Sequence, residues 1–160
     1  MPEITSHFQG RHAESAQELL AFATEGELYG VQLGVVQEIV VPPPITFVPR
    51  APRAVLGVCS VRGRLITVVD FRVCLGLPSS PLQQRRGRIL LGQGPDDEAI
   101  GLRVDEVRQV VRLGAGELEW TVQALGGDYS ETFLRGIGRP AGGDELLVID
   151  MKAVLAKGCS

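Results

Sequence analysis

The sequence predicts an all-β fold, two small β-barrels packed side by side with only short helices, and three observations predict it. An outline occurs twice: Tyr29-Gly30-Val31-Gln32-Leu33-Gly34-Val35-Val36-Gln37-Glu38-Ile39-Val40 returns as Ile100-Gly101-Leu102-Arg103-Val104-Asp105-Glu106-Val107-Arg108-Gln109-Val110-Val111. Further on, the run from Leu65 to Leu75 is echoed from Glu145 to Leu155. Two matches in the same order argue for internal duplication, hence two like units. The chain also carries 20 Gly and 10 Pro in 160 residues, a turn density that suits short strands better than a helical bundle. Aromatics are only 5%, so the core rests on Val, Leu and Ile, which fit a pleated sheet.

Residues 1–16 read as a flexible polar arm. Residues 17–160 read as one domain, with a first half over 17–77, a linker over 78–87 and a second half over 88–157. Leu19 to Ala23 is a first strand, Glu25-Gly26-Glu27 a tight turn, and Tyr29, Val31 and Leu33 alternate as a half-buried second strand. From Val35 the spacing of Val35, Val36, Ile39 and Val40 predicts a short helical element, stopped by Pro42-Pro43-Pro44. Ile45 to Val48 is expected as a short strand. A hairpin follows, Val55 to Val61 against Leu65 to Val69, with Gly63 supplying the positive φ of the turn. Phe71 to Leu75 is about one helical turn closed by Gly76.

The second half repeats the scheme. Arg88 to Leu91 and Ile100 to Val104 are strands around the Gly94-Pro95-Asp96-Asp97 turn, and Val107 to Leu113 is amphipathic. Phe133 to Gly138 should pair with Glu145 to Ile149 across Pro140-Ala141-Gly142-Gly143, and a last helix runs from Met151 to Lys157. About five strands per half must close on themselves or leave exposed edges.

A net charge of −3 argues against nucleic acid, which needs a clustered basic surface. The one dense basic run, Arg85-Arg86-Gly87-Arg88, reads as a solvated linker rim. Cys59, Cys74 and Cys159 are odd in number and lack metal spacing, which predicts free thiols in a reducing compartment and no metal site. The beginning of the chain has no apolar signal region, and no run approaches the ~18 apolar residues that span a bilayer. A soluble, cytoplasmic protein without membrane insertion is expected.

Catalysis finds no foothold. His7 and His12 both lie in the arm, outside either repeat, so no base can be placed beside a nucleophile in the core. Asp70 and Asp150 occupy equivalent places and could form a carboxylate pair, but each precedes a short helix and suits an N-cap. Gly136-Ile137-Gly138 imitates a dinucleotide signature, yet Pro140 and Gly142-Gly143 forbid the helix that the motif needs. No enzyme activity and no cofactor are expected. Val36 and Ile39 correspond to Val107 and Val110, and together they would line a shared groove or serve as plain core. Glu38 and Arg62 would form a bidentate pair or stand as two solvated charges.

The order Leu20-Ala21-Phe22, Tyr29-Gly30-Val31, Val36-Gln37-Glu38-Ile39-Val40, Val61-Arg62-Gly63 and Val69-Asp70-Phe71-Arg72 resembles the CheW family of bacterial chemotaxis coupling proteins from Glu18 to Leu155. Phe133-Leu134-Arg135-Gly136-Ile137-Gly138 extends the likeness into the second half. Ser60-Val61 stands where the family commonly has Asn-Leu, Thr67 replaces a usual Pro, and Gly116 to Tyr129 matches poorly. The resemblance implies two five-stranded, SH3-like barrels and a non-catalytic adaptor. The adaptor would join the cytoplasmic tip of methyl-accepting chemoreceptors to the regulatory domain of a CheA-type histidine kinase, as a monomer that enters a larger array. Carried over by position, receptor contacts would fall on Val36, Glu38, Ile39, Gly101, Val107 and Val110, supported by Arg62 and Gly63. Kinase contacts would fall on Leu56, Gly57 and Leu65. A rival reading is a sibling or fragment that docks a phosphatase or response regulator instead.

Overall fold

The computed structural model describes residues 16–79, 85–120 and 133–160. Most of the expected arm, the middle of the linker and the stretch from 121 to 132 lie outside the described residues, as do His7 and His12. Among the described residues the first half forms β1 (Gln17–Thr24), β2 (Glu27–Gln32), β3 (Glu38–Val40), β4 (Val55–Val61), β5 (Arg64–Asp70) and the helical turn α1 (Phe71–Cys74). The second half forms β6 (Arg88–Gln93), β7 (Ala99–Val104), β8 (Glu106–Leu113), β9 (Leu118–Glu119), β10 (Leu134–Gly138), β11 (Leu146–Ile149) and helix α2 (Met151–Gly158).

These strands make two curled sheets, in the orders β8-β1-β2-β11-β10-β9 and β3-β6-β7-β5-β4. The all-β expectation holds, with the two-residue β9 added at one margin. The duplication is written into the topology. Replacing each strand by its repeat counterpart turns β8-β1-β2-β11-β10 into β3-β6-β7-β5-β4. Even the parallel pairings correspond, since Val148 sits opposite Gly30 as Val68 sits opposite Gly101.

The halves nevertheless do not fold separately. The six-stranded sheet takes β1 and β2 from the first copy and β8 to β11 from the second, and the five-stranded sheet takes β6 and β7 from the second copy and β3 to β5 from the first. The expected division at 78–87 is therefore a division of sequence and not of sheets. Exchange is favoured because the edges of β2 and β7 gain a parallel partner from the opposite copy, and the largest core forms between the sheets. That core joins Phe22, Tyr29, Phe71 and Leu102 with Phe133, Val154 and Leu155, all buried. Phe71 meets Phe22 and Tyr29 edge-on, at 5.3 and 4.9 Å between ring centroids, a favoured aromatic geometry.

Local chemistry fixes the helix starts. Asp70 accepts from the Arg72 N–H at 3.0 Å and Asp150 from the Ala153 N–H at 3.2 Å, so both are caps as expected. Two short segments differ from the sequence expectation. The helical element over Val35 to Val40 is a 3-10 turn at Leu33–Val35 followed by strand β3. Its apolar spacing fits either periodicity over so short a run, and the ladder decides. The Gln37 N–H donates to Leu91 O at 2.8 Å, and Glu38 to Val40 pair with Leu91 to Ile89. The amphipathic Val107 to Leu113 stretch is likewise strand, β8 against β1. The expected strand at Ile45 to Val48 reduces to one bridge between Thr46 and Val58.

Candidate functional site

Strands β3 and β8 each form one margin of a sheet, opposite β4 and β9, and occupy equivalent places in the duplication. Ile39 lies opposite Leu90 on β6, and Val110 lies opposite Leu20 on β1. Both are exposed, at 43% and 49%. Val36 and Val107, also equivalent, are half-buried and pack against the large core. The alternative of groove or core therefore divides by residue: Ile39 and Val110 face out, while Val36 and Val107 anchor the same margins from behind.

Glu38 belongs to strand β3 and not to a helix. Its Oε1 accepts from Arg62 Nη1 at 2.6 Å. Arg62 and Gly63 form the two-residue loop between β4 and β5, with φ of 52° and 79°. Positive φ at both positions is the hairpin geometry whose twist matches the flanking strands. A non-glycine residue there carries a conformational cost of about 1 kcal/mol, and in return the guanidinium is aimed across the sheet. Since β3 and β4 are opposite margins of one sheet, the ion pair joins the two ends of its curl. Below it, Val40 and Ile45 pack with Cys59, Ile66 and Val61.

Gly101 does not offer a surface. It is buried mid-strand in β7, and the place of a Cβ is filled by Ile89. It belongs to the site only as the close-packed backbone behind it. The residues implied for kinase contact also separate. Leu65 is 73% exposed, Leu56 is half-buried against the second core cluster, and Gly57 is buried. Gly57 sits at a β-bulge with φ of 147°, where a Cβ would collide with the Thr46 carbonyl. Its role is to let the 45–46 segment lie against β4. Near these residues in sequence, Val41 and Phe47 are 69% and 72% exposed. The sequence places Phe47 inside the expected Ile45–Val48 strand and gives neither residue a role, although apolar residues flanked by prolines are a usable signal of unpaired surface.

The sequence also did not reveal a three-residue ion cluster. Arg72 on α1 holds Asp105 Oδ2 at 2.8 Å and Glu25 Oε2 at 2.6 Å, with its Nε donating to Pro78 O at 2.8 Å. Burial pulls the Arg72 pKa down, but the Asp105 and Glu25 carboxylates outweigh it and hold the group above its ordinary value. Asp70 also accepts from the Ser79 hydroxyl. Among the described residues no group of three or more His, Cys, Asp or Glu could hold a metal, and no helix is long and apolar enough to cross a membrane.

The CheW-like domain profile matches residues 18–158. Chemotaxis protein CheW of Rhizobium meliloti (strain 1021) is 29% identical over 121 residues, 76% of either chain. Protein PilI of Pseudomonas aeruginosa is 38% identical over 88 residues, 55% of this chain and 48% of its own. The crystal structure of the scaffolding protein TtCheW from Thermoanaerobacter tengcongensis has the same fold, with a TM-score of 0.76 over 86% of this chain and 91% of that one, at 23% identity. With a domain match that runs from the first strand to the end of the last helix, the chain belongs to the CheW-like domain family.

Proposed function

We propose that this chain is a non-catalytic adaptor of chemotaxis-type signalling. It joins the cytoplasmic tip of a methyl-accepting chemoreceptor to the regulatory domain of a CheA-type histidine kinase within a receptor array. The observation that carries the reading is the pair of equivalent sheet margins, each presenting one exposed aliphatic residue, Ile39 and Val110, over a half-buried partner, Val36 and Val107. A helical receptor tip supplies the apolar face that such margins accommodate. Glu38, held by Arg62, adds an oriented carboxylate beside Ile39. Leu65, exposed on the β4–β5 hairpin, is the kinase contact, with Leu56 and Gly57 shaping the strand beneath it.

The test is binding of the purified chain to a chemoreceptor cytoplasmic fragment and, separately, to a CheA regulatory domain. Ile39→Asp places a charge where binding removes water and should cost at least ~2 kcal/mol of receptor affinity while kinase binding persists. Leu65→Asp should do the reverse. Wild-type receptor affinity in folded Ile39→Asp would reject the margin assignment.

A further inference from the structure

A groove of about 500 Å³ opens between the 3-10 turn at Leu33–Val35 and the start of α2. Val35 and Trp120, 44% and 51% exposed, give it apolar walls. Gln32, Gln93 and Lys152 bring polar groups to it, beside the Arg135–Asp150 ion pair that also lines it. Lys152 is exposed and enters no ion pair among the described residues.

The duplication supplies a comparison within the same molecule. Lys152 stands two residues after the Asp150 cap, as Arg72 stands two residues after the Asp70 cap. Arg72 is held by Asp105 and Glu25. In the repeat, the place of Asp105 is taken by Gly34, which has no carboxylate to offer. Glu25 lies in the β1–β2 turn, and the same offset places Asp96 at its counterpart in the turn between β6 and β7, where the Asp96 carboxylate enters no ion pair among the described residues. There the Glu98 carboxylate accepts instead from the Asp96 N–H at 3.0 Å. The adjacent Asp150 carboxylate is also committed, to the Ala153 N–H and to Arg135 Nη2 at 2.8 Å. The first half's cation is thus met by acidic side chains from both halves, Glu25 from its own and Asp105 from the second. The other half presents a cation beside an open apolar groove.

We propose that this groove docks an acidic peptide segment of a partner protein, whose carboxylate meets Lys152 as Asp105 and Glu25 meet Arg72, with a neighbouring apolar side chain against Val35 and Trp120. A peptide fits better than a free carboxylate because the walls offer apolar surface beside the charge, and a side-chain pair answers both. The groove is lined by residues other than those of the β3 and β8 margins, so the inference does not rest on the receptor reading.

Trp120 is the single tryptophan of the chain, so its fluorescence reports on the groove directly. The probe is a capped hexapeptide carrying Phe, Glu and Leu in a Gly-Ser frame, titrated into the full chain beside a counterpart with Gln for Glu. The expected result is a saturable Trp120 change with the Glu peptide, weakened at least ~tenfold by the Gln replacement and by Lys152→Gln, as loss of a charge-assisted contact requires. Lys152→Glu should restore binding to a Lys-for-Glu peptide, while Arg112→Gln on β8 should leave the Glu peptide unaffected. Indifference to the peptide's charge or to Lys152 would overturn the proposal, as would free glutamate binding as well as the peptide. A Trp120 change that follows protein concentration alone, with dimers in sedimentation, would assign the groove to a second copy and overturn it too.

Discussion

Arg62 Nη1 lies 2.6 Å from Glu38 Oε1, and the two residues belong to opposite margins of one five-stranded sheet. The contact spans the curl of β3-β6-β7-β5-β4, from the β4–β5 loop to the outer strand beside the exposed Ile39. The Arg62 side chain is 75% exposed and that of Glu38 29%, so water screens the pair. Its consequence is orientation of β3 more than stability.

Glu38→Ala and Arg62→Ala should each cost about 0.5 kcal/mol of unfolding free energy, and the double variant little more than either, as measured exposed pairs do. Urea denaturation of the four-protein cycle checks this. Receptor affinity should fall in both single variants by more than stability does, because β3 loses its tether.

Gly57→Ala should destabilise the fold by about 2 kcal/mol or more, since it combines a strained φ with collision against the Thr46 carbonyl. The expected signature is loss of protection at the Thr46 and Val58 amides, which bond one another's carbonyls at 2.8 and 2.9 Å. Native-state hydrogen exchange reads it.

Arg72→Met should be more damaging, at about 3 kcal/mol, because the nearly buried Asp105 carboxylate loses its ion pair with Arg72. Replacing Asp105 with Asn in the same chain should recover part of the loss. A thermal-melt cycle over the two positions measures the coupling.

Burial pushes the Cys74 thiol up to about 12. The folded state therefore holds its proton more tightly than the unfolded chain, whose thiol titrates near 8.5. The stabilising contribution is complete below about pH 8.5 and is lost as pH rises from there towards the folded value. Stability should decline across that alkaline window in the wild type and less in Cys74→Ala. At pH 8 a thiol reagent should modify Cys74 only after unfolding.

At the acid end, the Gly114 and Ala141 N–H groups hold the Glu117 carboxyl below its usual range, with bonds of 2.9 Å each. A depressed folded pKa contributes stability above the unfolded value, near 4.3, that disappears as pH falls through the folded one. Glu117→Gln should flatten the acid limb of a stability–pH curve while leaving the neutral plateau lower.

What the sequence determined by itself is local or periodic. The repeated outline announced two like units, Asp70 and Asp150 announced helix starts, and Gly63 announced a hairpin turn, which the structure tightens from Arg62-Gly63-Arg64 to Arg62-Gly63 with Arg64 in β5, because caps and tight turns are decided by a few adjacent residues. Motif order pointed to the family for the same reason, since it survives where partners in space are unknown. Only the tertiary structure decided that each sheet exchanges strands between the copies, that Val35 to Val40 becomes turn and strand beside Leu91, and that Gly101 is interior. It alone brought Glu25, Arg72 and Asp105 into one cluster and left Lys152 without such partners among the described residues. These outcomes depend on which distant strand supplies the ladder and which side chain fills the core, and no short window of sequence encodes that competition.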